Sequence, residues 1–167
     1  MNGTPVVTLD ELYARLPGRG RLMGLDLGSK TIGLAVSDTQ WTVATPLETI
    51  RRTKFTADAE QLLSLAEENA VHAMVIGLPL NMDGSEGPRA QSTRAFARNL
   101  EKLTDLAMVF WDERLSTVAV ERTLLEADTS RKKRSEVIDK MAASFILQGA
   151  LDRLDTIARN PDREQSS

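Results

Sequence analysis

The chain has 167 residues, 41% of them hydrophobic and 27% charged, with a formal net charge of −3. That length fits one domain able to bury about two thirds of the surface its unfolded form exposes. With no cysteine and a single histidine, His72, disulfides, thiolate zinc sites, a Cys nucleophile and His-rich metal sites are excluded, so any bound metal falls to oxygen ligands, which favours Mg²⁺ or Mn²⁺.

The first residues lack the cationic leader and apolar core of a signal peptide, and no stretch of about twenty apolar residues occurs. The expectation is a cytoplasmic protein with no membrane partner. Cations gather at Arg51-Arg52-Thr53-Lys54 and at Arg131-Lys132-Lys133-Arg134; on charge alone such short runs read as solvated loops.

In chain order, Thr8-Leu9-Asp10-Glu11 has the form of a capping box, and Leu9, Leu12, Tyr13 and Leu16 make one apolar stripe before Pro17-Gly18. This predicts a short helix in an N-terminal appendage, residues 1–20. A strand follows from Leu22 to Leu27, then a tight Gly28-Ser29-Lys30 turn, a second strand from Ile32 to Ser37 and a third from Trp41 to Ile50, together an antiparallel meander. After Arg52 the period changes. A helix is predicted over Ala57 to Asn69, a buried strand over Ala73 to Leu78, a Gly- and Pro-rich loop to Pro88, a helix from Arg89 to Leu103, and a fifth strand from Leu106 to Trp111. Two helices, Thr117 to Ala127 and Ser135 to Ile157, flank a loop over 128–134, and the chain closes in a tail.

This order predicts an α/β domain over residues 21–158 around a five-stranded mixed sheet, three antiparallel strands then two parallel, flanked by helices, with 159–167 as a C-terminal tail. Such sheets bind ligands outside the carboxyl ends of their parallel strands.

Acids fall at those ends. Asp26 interrupts an apolar strand, where a carboxylate is costly unless paired, protonated or metal-bound. Asp112 and Glu113 end the fifth strand, and side-chain alternation lets only one of them share the ligand-facing side. Asp139 precedes Ala142, Ala143 and Ile146 at helical spacing on the face expected to pack on the sheet. Gathered together, such carboxylates would repel unless divalent cations sat between them. Two ions about 4 Å apart would activate a water for in-line attack on a phosphodiester and stabilise the leaving oxygen.

Blander readings stand beside these. Asp112 or Glu113 alone fits a helix N-terminal acid, Asp139 could pair with Lys140 or Arg134, and Asp38 reads as a turn former. Met74, Met82, Met108 and Met141 read as core or loop filler, and Trp41 and Trp111 as strand packing rather than base stacking.

Four blocks, "GLDLGSKTIGLAVSD" (24–38), "VIGLPLNMDGSEG" (75–87), "WDERLSTVAVE" (111–121) and "VIDKMAASFILQGAL" (137–151), carry a resemblance to the YqgF/RuvX family. Its members are described as Holliday junction resolvases and pre-16S rRNA processing nucleases with an RNase H-like fold related to the RuvC resolvase. The blocks occur in family order and spacing. The resemblance implies a metal-dependent nuclease with Asp26, Glu113 and Asp139 as catalytic and metal-binding acids and Mg²⁺ or Mn²⁺ as cofactor. It places Asn81 and Asp83 in a loop beside the site. It sets Lys30 where a cation meets the scissile phosphate, and Arg114, Ser116 and Thr117 where phosphate or backbone contacts are plausible. Arg131, Lys132, Lys133 and Arg134 become a flexible cationic segment at the pocket mouth. RuvC-type enzymes carry an acid at the end of the fourth strand; here that strand ends Gly77-Leu78-Pro79, which leaves the fifth-strand acid as substitute and the choice between Asp112 and Glu113 open.

The implied partner is nucleic acid, RNA or branched or single-stranded DNA, bound by a monomer or a homodimer. Two other functions compete: a non-catalytic ribosome-assembly or nucleic-acid-binding factor, and an actin-like phosphotransfer domain, which normally needs two such domains to enclose a nucleotide.

Overall fold

In the computed structural model, residues 6–16, 20–115 and 131–160 are described, with the side chains of the last helix described from residue 138. The elements are α1 (Leu9–Arg15), β1 (Arg21–Leu27), β2 (Thr31–Ser37), β3 (Ala44–Arg51), α2 (Phe55–Glu68), β4 (Val71–Leu78), α3 (Pro88–Leu100), β5 (Ala107–Asp112), a 3₁₀ turn (Glu113–Leu115) and α4 (Arg131–Arg159). The helix expected over 117–127 lies outside the described residues.

The strands form one sheet in the order β3-β2-β1-β4-β5. β1, β2 and β3 pair antiparallel, whereas β4 pairs parallel with both β1 and β5. This is the mixed sheet expected from the element order. The central strand β1 alternates strictly: Met23, Leu25 and Leu27 enter the core under α2 and α3, while Leu22 enters the core under α4. Each sheet face therefore carries an apolar layer, which is why β1 and β4 read as nearly continuous apolar runs.

α4 lies along one face of the sheet and buries Ala142, Ala143, Ile146, Leu147, Ala150 and Leu151 at helical spacing. Its approach is set by glycines. A Cβ at Gly24 would stand 2.7 Å from the carbonyl oxygen of Ala143, and one at Gly149 would stand 2.7 Å from the Trp111 ring. Gly24 thus lets the β1 and α4 backbones come closer than a side chain would allow, while Gly149 leaves room for the Trp111 ring.

Several boundaries differ from expectation. The basic tetrad Arg131 to Arg134 forms the first turn of α4 rather than a loop; Lys and Arg are good helix formers, and no Gly or Pro separates them from the rest of the helix up to Gln148. β3 begins at Ala44 because Asp38 closes the preceding turn, accepting hydrogen bonds from Thr42 N–H (2.8 Å), Val43 N–H (3.0 Å) and the Thr42 hydroxyl. Trp41 lies in that turn at φ 60°, with its indole buried and Nε1 donating to the Gly20 carbonyl at 2.7 Å. α3 stops at Leu100.

The N-terminal helix begins with the capping box read from the sequence, Thr8 and Glu11 exchanging side-chain to backbone bonds. Leu12 is fully buried in the core under α4, and the Val7 N–H donates to the Met108 carbonyl at 2.8 Å, covering the β5 edge. Among the described residues no helix is long and apolar enough to cross a membrane.

Candidate metal and nucleic-acid site

Asp26 lies on β1 with the same parity as Leu22 and Gly24, so its side chain projects toward α4. It pairs with Gly33 of β2, and the register Leu25 to Ile76 brings Gly77 of β4 to its other side. Gly77 in turn pairs with Trp111 of β5. Across four strands one row therefore reads Gly33, Asp26, Gly77, Trp111, with an acid between two glycines.

Neither glycine position is empty space. A Cβ at Gly33 would overlap the main-chain carbonyl of Asp139, and one at Gly77 would overlap Ile146 and come within 3.3 Å of Glu113 Oε2. Asp139 and Glu113 thus approach the row from opposite sides of Asp26, which is itself only 2% exposed. Asp139 Oδ2 accepts a hydrogen bond from the Thr31 hydroxyl and would lie 3.8 Å from a Cβ at Gly28. Among the described residues no three His, Cys, Asp or Glu side chains are gathered closely enough to hold a metal ion. What the residues offer is hard carboxylate donors, the kind that suits Mg²⁺ or Mn²⁺, with Asp26 on the sheet row and Asp139 and Glu113 approaching it from the last helix and the 3₁₀ turn.

The neighbouring acid Asp112 has a different occupation. Arg114 grips its carboxylate with Nε at 3.1 Å from each oxygen and Nη2 at 2.7 Å, and Nη1 of the same guanidinium donates to the Met82 carbonyl at 3.2 Å. The Arg114 hydrogen bonds hold the Asp112 carboxyl below its ordinary value, and Asp112 raises the guanidinium in return. This pair ties the end of β5 to the loop after β4. Arg114, which the resemblance sets where phosphate or backbone contacts are plausible, makes these contacts within the chain while remaining exposed.

Asn81 and Asp83 shape the same loop. The Asn81 side-chain amide donates to Ser85 Oγ at 2.9 Å, and Asp83 accepts from the Ser85 hydroxyl (2.6 Å) and N–H (2.9 Å); those bonds keep the Asp83 carboxyl below its usual range. Gly84 turns the loop at φ 89°, a conformation that favours glycine. Ser116 and Thr117 lie outside the described residues. Arg131, Lys132, Lys133 and Arg134 stand on the first turn of α4.

Lys30 is exposed in the turn after β1 and borders a cleft of about 470 Å³, which Asp139 also lines. Arg52, Arg89 and Ser92 line it too. Sequence reasoning left Arg52 in a solvated basic run and gave Arg89 no role beyond opening a helix. The cleft is assembled from segments far apart in the chain, which no local pattern reveals.

Residues 20–153 match the profile of the RuvX family, described as Holliday junction resolvase. Full-length similarity is high as well. A protein of Ruegeria pomeroyi, named "Putative pre-16S rRNA nuclease", is 67% identical over 147 residues, covering 88% of this chain and 96% of that one. A Rhizobium meliloti protein of the same name is 59% identical over 162 residues, covering 97% and 98%. Among solved structures, Thermus thermophilus RuvC in complex with Holliday junction substrate superposes with a TM-score of 0.51 at 13% identity, covering 81% of this chain and 96% of that one; at that identity the likeness is one of fold. The chain belongs to the RuvX family of nucleases.

Proposed function

We propose that the protein hydrolyses phosphodiester bonds in precursor 16S rRNA by a two-metal mechanism, with Asp26, Glu113 and Asp139 as the metal-holding acids. The observation that carries this reading is the row Gly33, Asp26, Gly77, in which Gly33 makes room for the main chain of Asp139, and Gly77 for Ile146 and the Glu113 carboxylate, on either side of a buried Asp26. The Arg114 guanidinium on Asp112 supports Glu113 rather than Asp112 as the fifth-strand acid of the set. Bound divalent cations would supply activation of the attacking water and stabilisation of the leaving oxygen.

The chain's own part is positional. Asp26 is fixed by sheet pairing, Asp139 by the close seat of α4 on Gly33, and Glu113 by the tight turn that ends β5. A site held by rigid elements keeps its geometry without reorganising during the reaction. Lys30 presents a cation on the same side as Asp139, where it would neutralise an incoming phosphate. Precursor rRNA is favoured as substrate by relatives similar over nearly their whole length and named for that activity. The profile's description supports a four-way DNA junction as the second reading.

Purified protein with Mn²⁺ or Mg²⁺ should cut a labelled fragment spanning the 5′ end of 16S rRNA, and Asp26→Asn should lower that rate by about 10²–10³-fold, the scale of losing one transition-state charge partner. Paired nicks in a four-way junction with intact rRNA would move the substrate to DNA. Cleavage surviving Asp26→Asn or EDTA would overturn the mechanism.

A further inference from the structure

The cleft beside Asp139 has the chemistry of an anion site. Its walls come from the turn after β1, from Arg52 beyond β3 and from the opening of α3, so that Lys30, Arg52 and Arg89 line a space whose one acid among the described residues is Asp139. Arg52 is held in place: Nη1 donates to the Gly28 carbonyl at 2.5 Å, and the guanidinium lies 5.6 Å from the centre of the Phe96 ring. A guanidinium carries five N–H donors, so this anchoring leaves others available to a ligand. Arg89 and Ser92 are exposed. α3 opens at Pro88 with no side-chain cap from Gly87, which adds the positive end of a helix to the same wall.

We infer that this cleft binds a non-scissile phosphodiester of the nucleic-acid strand, through Arg52, Arg89 and Ser92, next to the phosphate that Lys30 and the acids receive. The assignment of the neighbouring phosphate as scissile rests on the nuclease reading above. Among the described lining residues cations outnumber the one carboxylate, which favours a phosphate over an uncharged group, and Asp139, which lines the cleft and packs its main chain on Gly33, makes the two sites contiguous. Binding one phosphate here fixes the register of the strand, so that its neighbour is delivered to Asp26.

The test uses the full chain, Ca²⁺ and labelled single-stranded oligonucleotides in which one phosphate at a time is replaced by a neutral methylphosphonate, with affinity read by fluorescence anisotropy. Arg89→Gln, at an exposed position that leaves the core intact, should weaken the unmodified strand about fivefold, the worth of one charged contact, and flatten the salt dependence by about 0.7 in log–log slope. Arg98→Gln, on the far end of α3, should change neither.

In the wild type one methylphosphonate position should cause a similar loss, and at that position Arg89→Gln should add nothing further. Losses that multiply at every position, or an unchanged salt slope, would overturn the cleft. Coupling at one position without cleavage in Mn²⁺ would support the cleft and overturn the nuclease reading, whereas cleavage without a coupled position would do the reverse.

Discussion

A carboxylate at position 26 is legible in sequence because strands seldom spend a core position on an acid; what the sequence does not carry is the identity of its neighbours. Gly33 and Gly77 flank Asp26 only through the pairing of β1 with β2 and β4. The choice between Asp112 and Glu113 is likewise a question of register and turn. Asp112 ends the pairing with β4 and meets Arg114, whereas Glu113 turns back toward Gly77. The reading of Asp38 as a turn residue agrees with the structure, and it has a pH signature. Burial would raise its carboxyl, but hydrogen bonds from the Thr42 hydroxyl and the Val43 and Thr42 N–H groups outweigh that and bring it from 3.8 down to about 2. A depressed carboxyl stabilises the fold above its unfolded value and loses that contribution as pH falls through the folded one. Asp38→Ala should therefore lower stability by about 1–2 kcal/mol near neutral pH. The gap in Tm from wild type should close as pH falls from 3.8 toward about 2, which thermal melts across that window will read.

At the scale of elements, periodicity and turn residues located the strands and most helices within a few residues, because each β1 and β4 position alternates between two apolar layers. The errors fell where tertiary contacts set the boundary. Trp41 reads as strand by composition, yet its indole is drawn to Gly20 and the Asp38 turn delays β3. The seat of α4 could not be read from α4 alone, since the glycines that permit it belong to β1 and β2. Gly33→Ala would drive a Cβ into the main chain of Asp139, and backbone cannot move aside as a flexible side chain does. The expected loss is about 1–3 kcal/mol, a fall in Tm of several degrees for a chain of this size. Gly87→Ala, where a Cβ meets only the Asn81 side chain at 3.5 Å, should melt within about a degree of wild type. Equal melting of the two variants would contradict the close helix seat.

For the whole molecule, three strands followed by alternating helices and strands leave few ways to close a sheet, so its order was legible. The burial of Leu12 under α4 was not, because it joins the two ends of the chain. The proposed acid site also joins distant parts, the first strand, the end of the fifth and the last helix, but its three acids are legible from the strand ends and the family resemblance. One measurement tests that combination most directly: calorimetric titration of Mn²⁺ into the wild type, Asp26→Asn, Glu113→Gln and Asp112→Asn. Wild type and Asp112→Asn should bind the ion alike, while Asp26→Asn and Glu113→Gln should each lose at least about tenfold in affinity, as removal of a charged oxygen ligand requires. Unchanged binding in Asp26→Asn, or a loss confined to Asp112→Asn, would contradict the account.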